Sequence, residues 1–244
     1  FIQNDNSNKL IFTEQKLQPK FINKILIEGN SITKDSTLRS KLIIEPGDYV
    51  NKFDIEQSQK DLSRLRYVNK VEVRERTDNN NSDIIFNIIE NTKTGNFLLG
   101  GSFSGDTGFG VGLGLKDSNI LGTGNELDFN INFNTEKTLF KIDYSTYGLF
   151  NSNLTNTYTL FNQETDLLSS FGFKKKSQGI GYKIGFKYNE NITFSSGVTI
   201  KREEGYAASS SSSVVSDNIG TFDQVNLDFS LNQNNTNKDR KSGS

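Results

Sequence analysis

The stretch Asn91–Asn125, NTKTGNFLLGGSFSGDTGFGVGLGLKDSNILGTGN, decides how the 244-residue chain is read, because the hydrophobic period changes across it. Upstream, apolar residues fall at mixed helix and strand spacings. Downstream they occupy every second position almost to the end. A helical face repeats every 3.6 residues and a strand face every 2, so the change marks a boundary between two architectures. Inside the stretch, Phe97, Leu99 and Phe103, then Phe109, Val111, Leu113 and Leu115, lie on two glycine-rich alternating runs.

Past the boundary, Leu127, Phe129, Ile131 and Phe133 alternate with Glu126, Asp128, Asn130 and Asn132. The pattern returns at Phe140–Tyr144, Ile180–Tyr188, Ile192–Ile200 and Val225–Leu231. With a weaker run at Thr155–Gln163 and the two glycine-rich runs, eight strands are predicted. A soluble antiparallel sheet also alternates, but three features favour a membrane barrel. The runs are about 9 to 12 residues long, enough to cross a bilayer at a tilt and longer than the usual strand. Their apolar faces carry no charge, as lipid contact requires. Short turns such as Asn189-Glu190-Asn191 also alternate with long polar connections such as Glu203–Thr221, the asymmetry of outer-membrane barrels.

Before the boundary, Phe21–Ile27 reads as a strand ending at the turn Glu28-Gly29-Asn30. Thr33 then suits the N-cap of a helix through Leu38 and Leu42, stopped by Pro46-Gly47. A second helix is predicted over Asp54–Arg66, capped by Asp54, with Ile55, Leu62 and Leu65 on one face. Tyr67–Glu75 and Asp83–Glu90 read as strands joined by the polar turn Thr77–Ser82. The order β-α-α-β-β over about 70 residues is near the minimum for a self-supporting core. Phe1–Pro19 is weakly patterned, so the division is residues 1–20 as the tail of a preceding domain or a disordered terminus, 21–92 as a small α+β domain, and 93–244 as barrel.

Composition narrows the function. Only 33% of residues are hydrophobic, yet 19 Phe and 8 Tyr recur at regular intervals, which separates the chain from disordered sequences. A net charge of -1 gives no electrostatic reason for a nucleic-acid partner. With no Cys and no His there is no thiolate metal site and no imidazole base, and no metal or cofactor is expected. No apolar run reaches the roughly 18 residues of a membrane-spanning helix. The chain opens on Phe1 and lacks Met, so it reads as a piece of a longer protein.

Other motifs have plain readings. Gly108, Gly110, Gly112 and Gly114 alternate along one strand instead of opening a helix, which excludes a phosphate loop. They leave room on one face or weaken pairing where a sheet bends. Asp117–Asn125 is a turn. Ser209–Ser213 and Lys174-Lys175-Lys176 are placed in solvated loops, as are Glu203 and Glu204, so no paired-carboxylate site is expected. Asn153-Leu154-Thr155 and Asn191-Ile192-Thr193 are chance matches to a glycosylation sequon.

From Phe21 onward the sequence resembles the BamA family of outer-membrane assembly factors. FINKILIEGNSITKDSTLRSKLIIEPGDYVN is similar to the opening of that family's POTRA domain, the match resting on Gly29, Asn30, Thr33, Arg39, Gly47 and Asp48. DIEQSQKDLSRLRYVNKVEVRER resembles the second helix and strand, with Val68 or Tyr67 where the family usually has Phe. NILGTGN, with Asn119, Leu121, Gly122, Gly124 and Asn125, is similar to the family's first barrel turn. Asn237–Gly243 resembles a degraded form of a later turn that lacks its proline.

The resemblance implies a POTRA domain followed by the first half of a sixteen-stranded barrel in a Gram-negative outer membrane, with the POTRA domain in the periplasm. It implies a non-enzymatic insertase whose partners are unfolded outer-membrane protein clients, periplasmic lipoproteins and membrane lipid. Clients would add at the edge of barrel strand one, Asn96, Phe97, Leu98, Leu99, Gly100, Gly101, Ser102 and Phe103, where Gly100, Gly101 and Gly105 soften the pairing. Two-partner secretion or another translocation barrel is the alternative within the family. A passive porin is the alternative of another class, although porins lack the β-α-α-β-β module, and an outer-membrane enzyme is disfavoured by the absence of His.

Overall fold

A computed structural model describes residues 2–5, 9–12, 19–78, 80–104, 108–148, 154–189, 191–209 and 219–233. The chain forms two compact units: Phe1–Asn30 with Leu38–Glu90, and Ser31–Thr37 with Asn91–Ser244.

In the first unit, β1 (Ile2–Asp5) pairs antiparallel with β2 (Lys9–Phe12). The rest is a three-stranded sheet in which β5 (Asn81–Glu90) lies between β3 (Phe21–Glu28), parallel to it, and β4 (Val68–Asp78), antiparallel to it. Central position makes β5 the most regular strand, with Ser82, Ile84, Phe86 and Ile88 buried on one face. These meet Leu38 of helix α1 (Asp35–Arg39), Leu62 of α2 (Lys52–Ser63), and Ile22, Ile25, Val68 and Val71 in one apolar core.

Both helix starts differ from expectation. Helix α2 begins two residues before Asp54, because the Asn51 side chain accepts from the Phe53 N–H at 3.0 Å and caps it. Asn51 Nδ2 in turn donates to Asp54 Oδ2 at 2.7 Å, so Asp54 supports the cap from the first turn. Helix α1 begins at Asp35, so Thr33 lies two residues upstream instead of capping it. Its hydroxyl is engaged elsewhere.

The second unit contains an eight-stranded antiparallel meander, from β6 (Gly95–Ser104) through β7 (Gly108–Asp117), β8 (Glu126–Asn134), β9 (Lys137–Tyr147), β10 (Leu154–Leu167), β11 (Phe173–Lys187) and β12 (Ile192–Ala207) to β13 (Thr221–Gln233). A short helix α3 (Leu168–Phe171) joins β10 to β11. Cross-strand register shows what the alternation builds. Phe97, Leu115, Phe129, Ile142, Leu160, Ile180, Ile200 and Val225 pair in succession, one apolar row across all eight strands. The row beside it carries Leu127, Tyr144, Tyr158, Tyr182, Val198 and Leu227. On the opposite face, Lys116, Asp128, Asp143, Thr159, Gly181, Thr199 and Asn226 run in the same way.

Strands β10 to β12 extend beyond the predicted apolar runs. Lys174, Lys175 and Lys176 lie in β11 and Glu203 and Glu204 in β12, all of them in the sheet instead of the loops expected from sequence. Within the extensions Glu164–Asp166, Lys174–Lys176 and Arg202–Glu204 are polar in succession, on both faces, and therefore show no alternation. Ion pairs across the strands hold them, among them Lys174 with Glu164 at 2.7 Å, Lys175 with Glu203 at 2.7 Å and Arg202 with Asp223 at 2.8 Å. Gly105, Asn153, most of the serine run and the Asn237–Gly243 motif lie outside the described residues.

Candidate functional site

Strand β6 ends the sheet on one side and pairs only with β7 among the described strands. Its other long side presents main-chain donors and acceptors, the template to which another strand adds. Of the residues expected at this edge, Phe97, Leu99 and Phe103 share the apolar face, and all three are strongly exposed, with Phe103 at 82%. Leu98 is also exposed and shares the other face with Asn96, Gly100 and Ser102, opposite Lys116, Gly112 and Gly110.

The glycines of β7 have a measurable reason. A Cβ on Gly110 would lie 2.7 Å from Ser102 Oγ, and one on Gly112 would lie 2.6 Å from Asn132 Oδ1. The space above them is occupied by polar side chains of the flanking strands. Register between β6 and β7 is unbroken from Gly95–Asp117 to Ser104–Gly108, so the glycines do not interrupt pairing.

Between β7 and β8 the chain turns through a short 3-10 segment, Ile120–Gly122. Leu121 (φ 54), Gly122 (φ 70) and Gly124 (φ 69) all take left-handed conformations. Asn119 organises them. Its N–H donates to Asp117 Oδ1 at 2.9 Å, and its Oδ1 accepts from the Gly124 N–H at 2.7 Å. The Asn125 side chain donates to the Tyr144 hydroxyl at 2.8 Å and ties the turn to β9.

The same turn holds Ser31–Thr37, which belongs to this unit. Asn119 Nδ2 donates to Thr33 Oγ1 at 2.9 Å, with both residues buried. The Lys34 N–H and the Thr37 hydroxyl both donate to the Gly122 carbonyl, at 2.9 and 3.2 Å. Thr33, Asn119 and Gly122, singled out in two separate motifs, thus form one site. Ile32, Lys34 and Thr37 complete it, and no sequence signal marks them because two of them act through main-chain atoms.

The remaining motif residues are local fixtures. Gly29 (φ 85) turns the chain after β3, and Asn30 is the last residue before it crosses to the second unit. Gly47 (φ 98) donates its N–H to the Ile22 carbonyl at 2.7 Å, while Asp48 accepts from the Glu45 N–H through its carboxylate at 2.7 Å and from the Ile22 N–H through its carbonyl at 2.8 Å. Arg39 Nη1 reaches the Ile25 carbonyl at 3.2 Å. These contacts engage the outer side of β3 at Ile22 and Ile25, whereas β4 carries the charged residues Lys70, Glu72, Arg74, Glu75 and Arg76.

Residues 21–91 match the POTRA family, described as a surface antigen variable number repeat, and residues 119–243, just over half of the chain, match the Omp85 superfamily domain. The chain is 27% identical over 247 residues to the outer membrane protein assembly factor BamA of Buchnera aphidicola, covering 98% of this chain and 35% of that protein. It is 29% identical over 184 residues to a putative outer membrane protein assembly factor of Treponema pallidum, covering 72% of this chain and 22% of the other. Among solved structures, BamA from Haemophilus ducreyi lacking POTRA domains 1-3 superposes with a TM-score of 0.66 at 24% identity, over 91% of this chain and 46% of that one. CdiB from Acinetobacter baumannii shares the fold with a TM-score of 0.57 at 18% identity, over 88% and 43%. The eight-stranded meander matches part of a BamA barrel, and the chain spans about a third of the curated relative it matches along most of its length. With a POTRA domain followed by the Omp85 domain, the chain belongs to the Omp85 superfamily.

Proposed function

We propose that this chain is the working half of a non-enzymatic outer-membrane assembly factor, in which strand β6 templates the insertion of unfolded β-barrel clients. The observation that carries the reading is the position of β6. It is a terminal strand with an apolar face and no described partner along its outer side. In hydrocarbon an unpaired strand has no water to bond, so a client that adds there gains the hydrogen bonds the bilayer withholds. The POTRA sheet offers a second place for strand addition. With β3 covered by Arg39 and the Gly47–Val50 segment, β4 is the accessible edge, and its mixed charges suit a polar, unfolded chain or a periplasmic lipoprotein partner. This reading places the POTRA domain in the periplasm and the apolar face of the sheet against lipid.

Proline tests the edge. Of two consecutive strand residues, one N–H points to β7 and the other to the open side, so Leu98→Pro and Leu99→Pro in the complete protein separate the two roles. The substitution on the open side abolishes client assembly while the protein still reaches the membrane. Normal client assembly by both variants overturns the proposal.

A further inference from the structure

The cradle at Asn119–Gly122 has the construction of a fixture. Three donors from Ser31–Thr37 and the turn meet in a small volume: Asn119 Nδ2 on Thr33 Oγ1, and the Lys34 N–H and Thr37 hydroxyl on one carbonyl, that of Gly122. Gly122 is also packed against the segment's backbone, so closely that a Cβ there would lie 2.2 Å from the Ile32 carbonyl oxygen. Asn119 is 2% exposed and Thr33 3% exposed. None of the atoms in these three bonds titrates near neutral pH, so the bonds themselves give a proton no handle for opening it. Release would free several bonds at once and expose a buried carboxamide and a hydroxyl.

We propose that this clasp stays closed throughout the working cycle, with Asn119 as its positioning residue: it keeps Ser31–Thr37 seated on the β7–β8 turn while clients are assembled. The proposal rests on the assembly reading above for its activity readout, although the closed state can be measured without it. A clasp that remained shut would hold the turn's left-handed residues in place, and with them the hairpin next to the edge strand β6. A latch that opened in each cycle would require the reverse.

Ile32 and Leu121 are exposed, one on each side of the clasp. The 244 residues contain no cysteine, so a pair introduced here is the only one in this part of the protein. In the complete protein, Ile32→Cys with Leu121→Cys is oxidised or bridged with a short bis-thiosulfonate and followed by mobility on a non-reducing gel. The expected result is near-complete cross-linking with client assembly unchanged from the reduced form. Failure to cross-link overturns the clasp, and assembly that stops on cross-linking and returns with reductant overturns its permanence. A companion pair tests Asn119. Asn119→Leu loses about tenfold in assembly, the ratio expected for one or two net hydrogen bonds, whereas Asn119→Asp, whose carboxylate accepts from the Thr33 hydroxyl and the Gly124 N–H, restores most of it. Equal activity of the two variants removes the positioning role. Cross-linking is read without any client, so a wild-type protein that assembles nothing would sink the functional reading and leave the clasp standing.

Discussion

Gly29 and Ile88 approach so closely that a Cβ on the glycine would lie 2.2 Å from the Ile88 carbonyl oxygen. The contact joins the turn after β3 to the central strand β5, and Gly29 also has φ 85, a conformation that side chains resist. Gly29→Ala therefore has two costs, a backbone clash and left-handed strain, which together exceed about 2 kcal/mol. Chemical unfolding of the complete protein, followed by a probe in the first unit, checks this. A change under about 0.5 kcal/mol, the size of an ordinary surface substitution, contradicts it.

Ser58 is fully buried in helix α2, and its Oγ accepts the Ile43 N–H at 3.2 Å. Replacing it with alanine leaves a main-chain donor without that acceptor, at a cost of about 1–3 kcal/mol. Ser58→Thr keeps the hydroxyl but adds a methyl group at a fully buried position, so it is also destabilising. Hydrogen exchange at Ile43 distinguishes the two, rising in the alanine variant and not in the threonine one.

Acid weakens the first unit through two carboxylates. The Arg76 guanidinium, 2.7 Å away, and then the Asn23 amide hold Asp83 below its ordinary range. The Ser82 hydroxyl, followed by Thr77 and Lys20, does the same for Glu75. Folded values below the unfolded ones mean that the unfolded chain binds more protons. The stabilisation is present above the unfolded values near 4 and is lost as pH falls through the folded ones. Asp83→Asn and Glu75→Gln flatten the acid limb of a stability–pH curve. An unaltered limb in the double variant contradicts the assignment.

Tyr67 sets the alkaline limit. Burial pushes its hydroxyl up to about 12, while in the unfolded chain it ionises near 10. The folded unit retains the proton longer, so its contribution is complete below pH 10 and falls as pH rises from about 10 to 12. Spectroscopic titration of the phenolates shows a late component that Tyr67→Phe reduces by one tyrosine.

The two faces of β12 predict opposite responses to one substitution. Ile200 belongs to the apolar row and Thr199 to the polar face. Arginine at Ile200 costs about 2–4 kcal/mol if that row contacts lipid, and far less at Thr199. Folding of the complete protein into lipid vesicles measures both, and equal costs rule out lipid contact on the Ile200 row.

Local patterns in the sequence carried much of this architecture. Period-2 alternation locates all eight strands of the second unit because each has one apolar and one polar face, and the β-α-α-β-β order of the first unit follows from the helical spacing of Ile55, Leu62 and Leu65 between apolar strand runs. The ends of elements were less legible. Lys174–Lys176 and Glu203–Glu204 looked like loop because strands that are polar on both faces lack any period, and only cross-strand pairing reveals them. Asn51 and Asp54 have equal cap chemistry, and only the backbone decides for Asn51. Thr33 looked like a cap for the same reason. Its actual partner, Asn119, lies too far along the chain for any local pattern to join them.

That separation, 86 residues between Thr33 and Asn119, also bears on the order of folding. Synthesis completes Ser31–Thr37 long before the β7–β8 turn exists to receive it. The neighbouring Leu38 can enter the core of the first unit once Glu90 has been made, yet the segment just before it must wait for the barrel's first hairpins. Contacts so distant in sequence form slowly. The seating of Ser31–Thr37 is therefore a late event in maturation, and it reports that β7 and β8 have already met.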